Sequence, residues 1–118
     1  MSEASTSTDS FTEWIEVCTL DDLVVGRGAC ALVGPHQVAL FRTAEGELYA
    51  ISNYDPFSSA YVLSRGLVGS SGDVPKVVSP VFKQSFDLRT GQCLDDPTIV
   101  IPTFAVRADG GRVRVGLP

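Results

Sequence analysis

Phe104-Ala105-Val106-Arg107-Ala108-Asp109-Gly110-Gly111-Arg112-Val113-Arg114-Val115 is the stretch in which the period of the chain is plainest. From Arg112 to Val115 charged and β-branched residues strictly alternate, which puts every second side chain on one face of an extended strand. Asp109-Gly110-Gly111 supplies a tight turn, so the stretch predicts a β-hairpin.

Working outward, the same kind of pattern recurs. Short apolar runs fall at residues 14–18, 29–33, 37–43, 47–52, 66–68, 76–78, 85–88 and 92–94. Between them stand turn formers: Gly34-Pro35-His36, Ala44-Glu45-Gly46, Gly69-Ser70-Ser71-Gly72-Asp73 and Arg89-Thr90-Gly91. Residues 29–52 read as a three-stranded meander. Thr19 ahead of Asp21 and Asp22 predicts one short helical turn. Nothing of helical period runs longer than a turn or two. Many short strands at this spacing predict an all-β fold of stacked antiparallel sheets, a sandwich or small barrel with at most one or two short helical turns.

The chain has 118 residues, 44% hydrophobic and 19% charged, which suits one globular core. Met1 to Thr12 is rich in Ser and Thr and lacks the basic start and apolar segment of a secretory signal. A flexible polar tail is expected over residues 1–12 and a single domain over 13–118. No apolar run approaches the roughly 20 residues of a membrane-spanning helix. A net charge of −5 argues against nucleic acid or an anionic membrane as partner. A cytoplasmic location is expected, where Cys18, Cys30 and Cys93 stay free thiols. Cys18 and Cys30, in apparent strands, are expected to be small apolar core residues.

Conventional sites are poorly represented. His36, the one histidine, sits in a turn with no nucleophile or orienting carboxylate nearby in sequence. The cysteines stand singly, without the paired spacing of zinc or cluster sites. Gly69 to Gly72 opens no helix and precedes Asp73, which would repel a phosphate. Asp95-Asp96-Pro97 reads as a solvated corner. No catalytic residue, metal ligand or cofactor is therefore assigned to this chain.

Two stretches remain, Ile51 to Gly66 and Ser79 to Gly91. Asn53-Tyr54-Asp55, then Ser79-Pro80-Val81-Phe82, then Phe86-Asp87-Leu88-Arg89-Thr90-Gly91 resembles the Rieske-type ferredoxin pattern. In that family the two loops read Cys-x-His and Cys-x-x-His. Asn53 and Asp55 stand at the first pair of ligand positions, Ser79 and Phe82 at the second. A Rieske centre holds iron through thiolates and imidazoles, so the resemblance implies vestigial ligand positions.

Ala50-Ile51-Ser52-Asn53-Tyr54-Asp55-Pro56-Phe57, Val62-Leu63-Ser64-Arg65-Gly66-Leu67 and Cys30-Ala31-Leu32 resemble, more narrowly, the small subunit of the cytoplasmic NAD(P)H-dependent nitrite reductase. The resemblance implies a Rieske-like fold and a large-subunit partner. That subunit would carry FAD, siroheme and an iron–sulfur cluster and reduce nitrite to ammonium. The chain itself would be non-catalytic, supporting assembly or electron flow. A stand-alone Rieske-type electron carrier and a regulatory binding module are the alternatives.

Loops without metal need other ties. Asp55 is expected to be hydrogen-bonded within its loop, with Arg65 near enough in sequence to pair with it. Phe57, Tyr61 and Phe82 are expected to fill the space between the loops. Tyr54, Phe57 and Arg65 are also candidate interface residues, because aromatic side chains with an arginine are typical binding anchors. Plug and interface stay open for them at this point.

Overall fold

The computed structural model describes residues 13–117; the expected polar tail lies outside the described residues. Eleven strands follow in order: β1 Glu13–Thr19, β2 Ala29–Val33, β3 His36–Arg42, β4 Leu48–Ser52, β5 Tyr54–Asp55, β6 Ala60–Tyr61, β7 Leu67–Ser71, β8 Val74–Val78, β9 Ser85–Asp87, β10 Thr103–Asp109 and β11 Arg112–Leu117. Two 3₁₀ turns, Leu20–Asp22 and Leu63–Arg65, are the helical elements among the described residues. Thr19 and Asp22 form a reciprocal capping box around the first. The fold is all-β, as the alternating sequence predicts.

Six strands make one antiparallel sheet in the order β1-β11-β10-β4-β3-β2. Its outer members β1 and β2 approach each other, so the sheet is nearly closed. A bulge in β1 between Glu16 and Cys18 adds to the curl. A second sheet, β7-β8-β9, stacks against it, and β5 pairs with β6 in a small hairpin.

The two faces of the large sheet have separate cores, and β3 explains why. Its Val38, Ala39, Leu40 and Phe41 are all buried, a continuous apolar run of the kind that marks a strand covered on both faces. Val38 and Leu40 face inward with Val33, Ala50, Val113 and Val115. Ala39 and Phe41 face the second sheet and pack with Ile51, Leu63, Val77 and Phe86. In β11 the alternation read from sequence is realised, with Val113 and Val115 inside and Arg112 exposed.

Some expectations are corrected. The turn between β7 and β8 is confined to Gly72-Asp73, because the polar residues Ser70 and Ser71 extend an exposed edge strand. Residues 92–94 form no strand; single bridges join Phe86 to Cys93 and Gln92 to Val100. Cys30 is exposed rather than in the core, since it lies on the uncovered face of β2, the last strand of the sheet. Cys18 is half-buried beside the inner core and Cys93 is fully buried in the outer one.

Candidate functional site

The chain leaves the large sheet at Ser52, the end of β4, enters the second sheet at β7 and rejoins the large sheet at β10. The intervening first loop holds the β5–β6 hairpin and the second 3₁₀ turn. The second loop, residues 79–84, links β8 to β9. Gly66 lets the two meet: a Cβ there would run into the carbonyl oxygen of Val78 and lie 2.7 Å from Val77 Cγ2. Only a residue without a side chain brings the end of the first loop onto β8 at that spacing.

Three buried polar residues bind this region together. Asn53, 2% exposed, accepts from the Ser64 amide at 2.7 Å and donates to Gln37 Oε1 at 3.3 Å. Its backbone bonds to Gln37 and Leu63, so it ties β3 to the 3₁₀ turn. Asp55, fully buried, accepts the Phe57 amide at 2.9 Å on one carboxyl oxygen. Its other oxygen accepts from Ser79 Oγ at 2.5 Å, across 24 residues of chain. Ser79 Oγ in turn accepts from the Val81 amide at 3.3 Å. A carboxyl–hydroxyl bond thus clasps one loop to the other. Buried polar groups require such partners, and here they find them in each other.

The expected partner of Asp55 is therefore replaced. Arg65 is exposed, and no ion pair joins the two; the carboxyl is enclosed, out of a solvated guanidinium's reach, and filled by Ser79 and Phe57. Phe57 turns inward, its ring 6.2 Å from that of Phe86, and plugs the outer core. Tyr54 is half-buried against Tyr61, with ring centroids 5.0 Å apart. Phe82 does not fill the space between the loops: it is 58% exposed, because the Asp55–Ser79 bond already closes that gap with polar atoms.

The loops also hold the two non-glycine residues of the described chain with positive φ, Ser59 at 57° and Lys83 at 68°. A left-handed backbone is strained for residues that carry a Cβ. Around them Tyr61, Leu67, Val81 and Phe82 are exposed.

The remaining candidates stay apart. His36 is exposed and packs tilted against Phe104, with ring centroids 5.4 Å apart, on one wall of a cleft of about 430 Å³ shared with Tyr54 and Tyr61. Asp95 caps the Ser85 amide at 2.8 Å and Asp96 accepts from Thr98 at 2.6 Å. Desolvation of the sulfur pushes the Cys18 thiol above its ordinary pKa, and that of Cys30 likewise although the residue as a whole is exposed, since Gln37 and Asn53 lie against its sulfur. Among the described residues no group of three or more His, Cys, Asp or Glu side chains is placed to hold a metal ion.

The sequence matches the Rieske-like [2Fe-2S] domain family over residues 13–116. The donors between the two loops do not fit such a cluster. It takes thiolates and imidazoles, whereas Asn53, Asp55 and Ser79 present amide, carboxyl and hydroxyl groups already bonded to protein.

The nitrite reductase (NADH) small subunit of Salmonella typhimurium is 40% identical over 105 residues, covering 88% of this chain and 97% of that one. A crystal structure assigned as the NADH-dependent nitrite reductase small subunit of Mycobacterium tuberculosis superposes with a TM-score of 0.87 at 44% identity, covering 90% and 96% of the two chains. A nitrite reductase [NAD(P)H] large subunit from Klebsiella oxytoca is 40% identical over 103 residues, 87% of this chain and 11% of that one. These relatives do not favour a stand-alone electron carrier. The chain belongs to the Rieske-like domain family and, within it, to the small subunits of NAD(P)H-dependent nitrite reductase.

Proposed function

We propose that this chain binds a large nitrite reductase subunit in the cytoplasm and supports its assembly or its electron flow while contributing no redox centre. The large subunit would use FAD, siroheme and an iron–sulfur cluster to carry electrons from NAD(P)H to nitrite, giving ammonium. Asn53, Asp55, Ser79 and Phe82 would occupy the positions at which a Rieske domain holds its cluster. The observation that carries the reading is the Klebsiella oxytoca relative, in which the counterpart of this chain is a segment of a large-subunit polypeptide. A domain joined covalently to a large subunit works at high effective concentration beside it, and a separate chain of the same family needs a surface that does the same by affinity.

Nitrite-dependent NAD(P)H oxidation by the purified large subunit, with and without this chain, tests the reading. A higher rate or a longer-lived large subunit in its presence is the expected result. No change in either rate or lifetime would refute it. Iron and acid-labile sulfide in the purified chain at stoichiometric level would return it to the electron carriers.

A further inference from the structure

We infer that the face formed by the two loops docks on an acidic-rimmed apolar patch of the large subunit, an inference that rests on the reading above. Four side chains give the face its apolar surface: Tyr61 is 55% exposed, Leu67 74%, Val81 45% and Phe82 58%. They belong to one region, because the Asp55–Ser79 bond holds the first loop against the second and Leu67 pairs with Val78, next to Ser79. Water-exposed aromatic and aliphatic groups gathered in this way mark interaction sites.

Charge identifies the kind of partner. The chain as a whole carries −5. Within residues 53–67 and 79–84 the charged residues are Asp55, which is buried, and Arg65 and Lys83, which are exposed. Both exposed charges are positive, on a protein that is otherwise acidic. Beyond the second loop, Asp87 is buried and paired with Arg89, while Asp95 is exposed and accepts from the Ser85 amide. A basic rim around apolar anchors is complementary to acidic residues around an apolar depression. It does not suit another copy of the same face, which would oppose like charges.

Backbone strain points to the same place. Lys83 carries one of the two cationic groups and sits at a φ of 68°, with its ammonium 3.1 Å from the Pro80 carbonyl. A glycine there would relax the turn but remove the charge. Strain retained at an exposed position is characteristic of functional loops.

The experiment measures binding of this chain to the purified large subunit at low and high salt, with the melting temperature of each variant as a control for folding. Arg65→Glu with Lys83→Glu should weaken binding about tenfold or more at low salt, mainly through a slower on-rate. Phe82→Ala should weaken it by about tenfold or more through a faster off-rate. Arg112→Glu, a sign-matched change at the other end of the large sheet, should leave binding unchanged. If the wild-type chain binds and all these variants bind equally well, the docking face is wrong and the subunit reading stands. If Arg112→Glu weakens binding as much as the loop reversal, general charge rather than this face governs association. If the wild-type chain does not bind at all, the subunit reading fails and the inference with it.

Discussion

The two ends of the six-stranded sheet differ in how much of the chain reversal they leave to glycine. At one end the β3–β4 and β10–β11 turns use Gly46, Gly110 and Gly111 for their positive φ angles, at 86°, 57° and 79°. No side chain is strained there. At the other end the β2–β3 turn again uses a glycine, Gly34 at 60°, but the two loops beside it are held by Asn53, Asp55 and Ser79 and place Ser59 and Lys83 in left-handed backbone. Turns that serve only the fold take the residue the geometry asks for. The loop end instead keeps side chains in left-handed backbone, at some cost in stability.

The strongest break in this contrast is Phe86→Ala. Phe86 lies where the plug of the first loop, Phe57, meets the outer core. Truncation should cost about 3–5 kcal/mol in urea unfolding. Amide exchange should accelerate first at Phe57 and Ser64 and last at Val113 and Val115, since the inner core does not include Phe86. Equal acceleration at both would mean the ends are not separate units.

Next comes the polar clasp. Ser79→Ala leaves a buried carboxyl oxygen without its donor and should cost about 1–3 kcal/mol, with Asp55→Ala costing at least as much because two donors lose their acceptor. The double substitution should cost less than the sum of the two, and strict additivity would show that the bond is not what joins the loops. A smaller effect of opposite sign is expected at the strained positions. Ser59→Gly and Lys83→Gly should each raise stability by about 1 kcal/mol, a rise of a few degrees in melting temperature. The same substitution at a relaxed loop position would lower it.

The smallest effect is electrostatic. Burial pushes the Asp87 carboxyl up, but bonds from the side chain and amide of Arg89, at 3.1–3.2 Å and 2.8 Å, more than offset this and hold its pKa below the ordinary range. A depressed folded-state pKa stabilises above the unfolded value of about 3.9 and loses that contribution as pH falls through the folded value. Arg89→Gln should therefore lower the melting temperature slightly at pH 7 and make no difference in strong acid. A gap that persists or widens in acid would assign the role of Arg89 to packing instead.

Much of the sheet was legible because its information is local. Alternation at Arg112 to Val115 and the turn residues at Gly34-Pro35 and Asp109-Gly110 specify hairpins between neighbours in sequence. The apolar run of β3 marked it as a strand of the meander, but its burial on both faces depends on the second sheet, which the run alone does not report. The loop end was legible only as polar loops that lack a metal's usual donors. That Asp55 bonds to Ser79 instead of Arg65 depends on two segments meeting 24 residues apart, which sequence proximity does not report. Cys30 was misplaced because strand character does not say which strand ends a sheet, and Phe82 because aromatic character does not say which way a loop faces.

The Asp55–Ser79 bond has one more consequence. A carboxyl and a hydroxyl have no oxidation state to gain or lose under cellular conditions, and neither has to be delivered by a cluster-assembly pathway. Loops that close in this way need no iron to join them, and neither oxygen nor a chelator opens that joint. The link between the two loops is then indifferent to redox history.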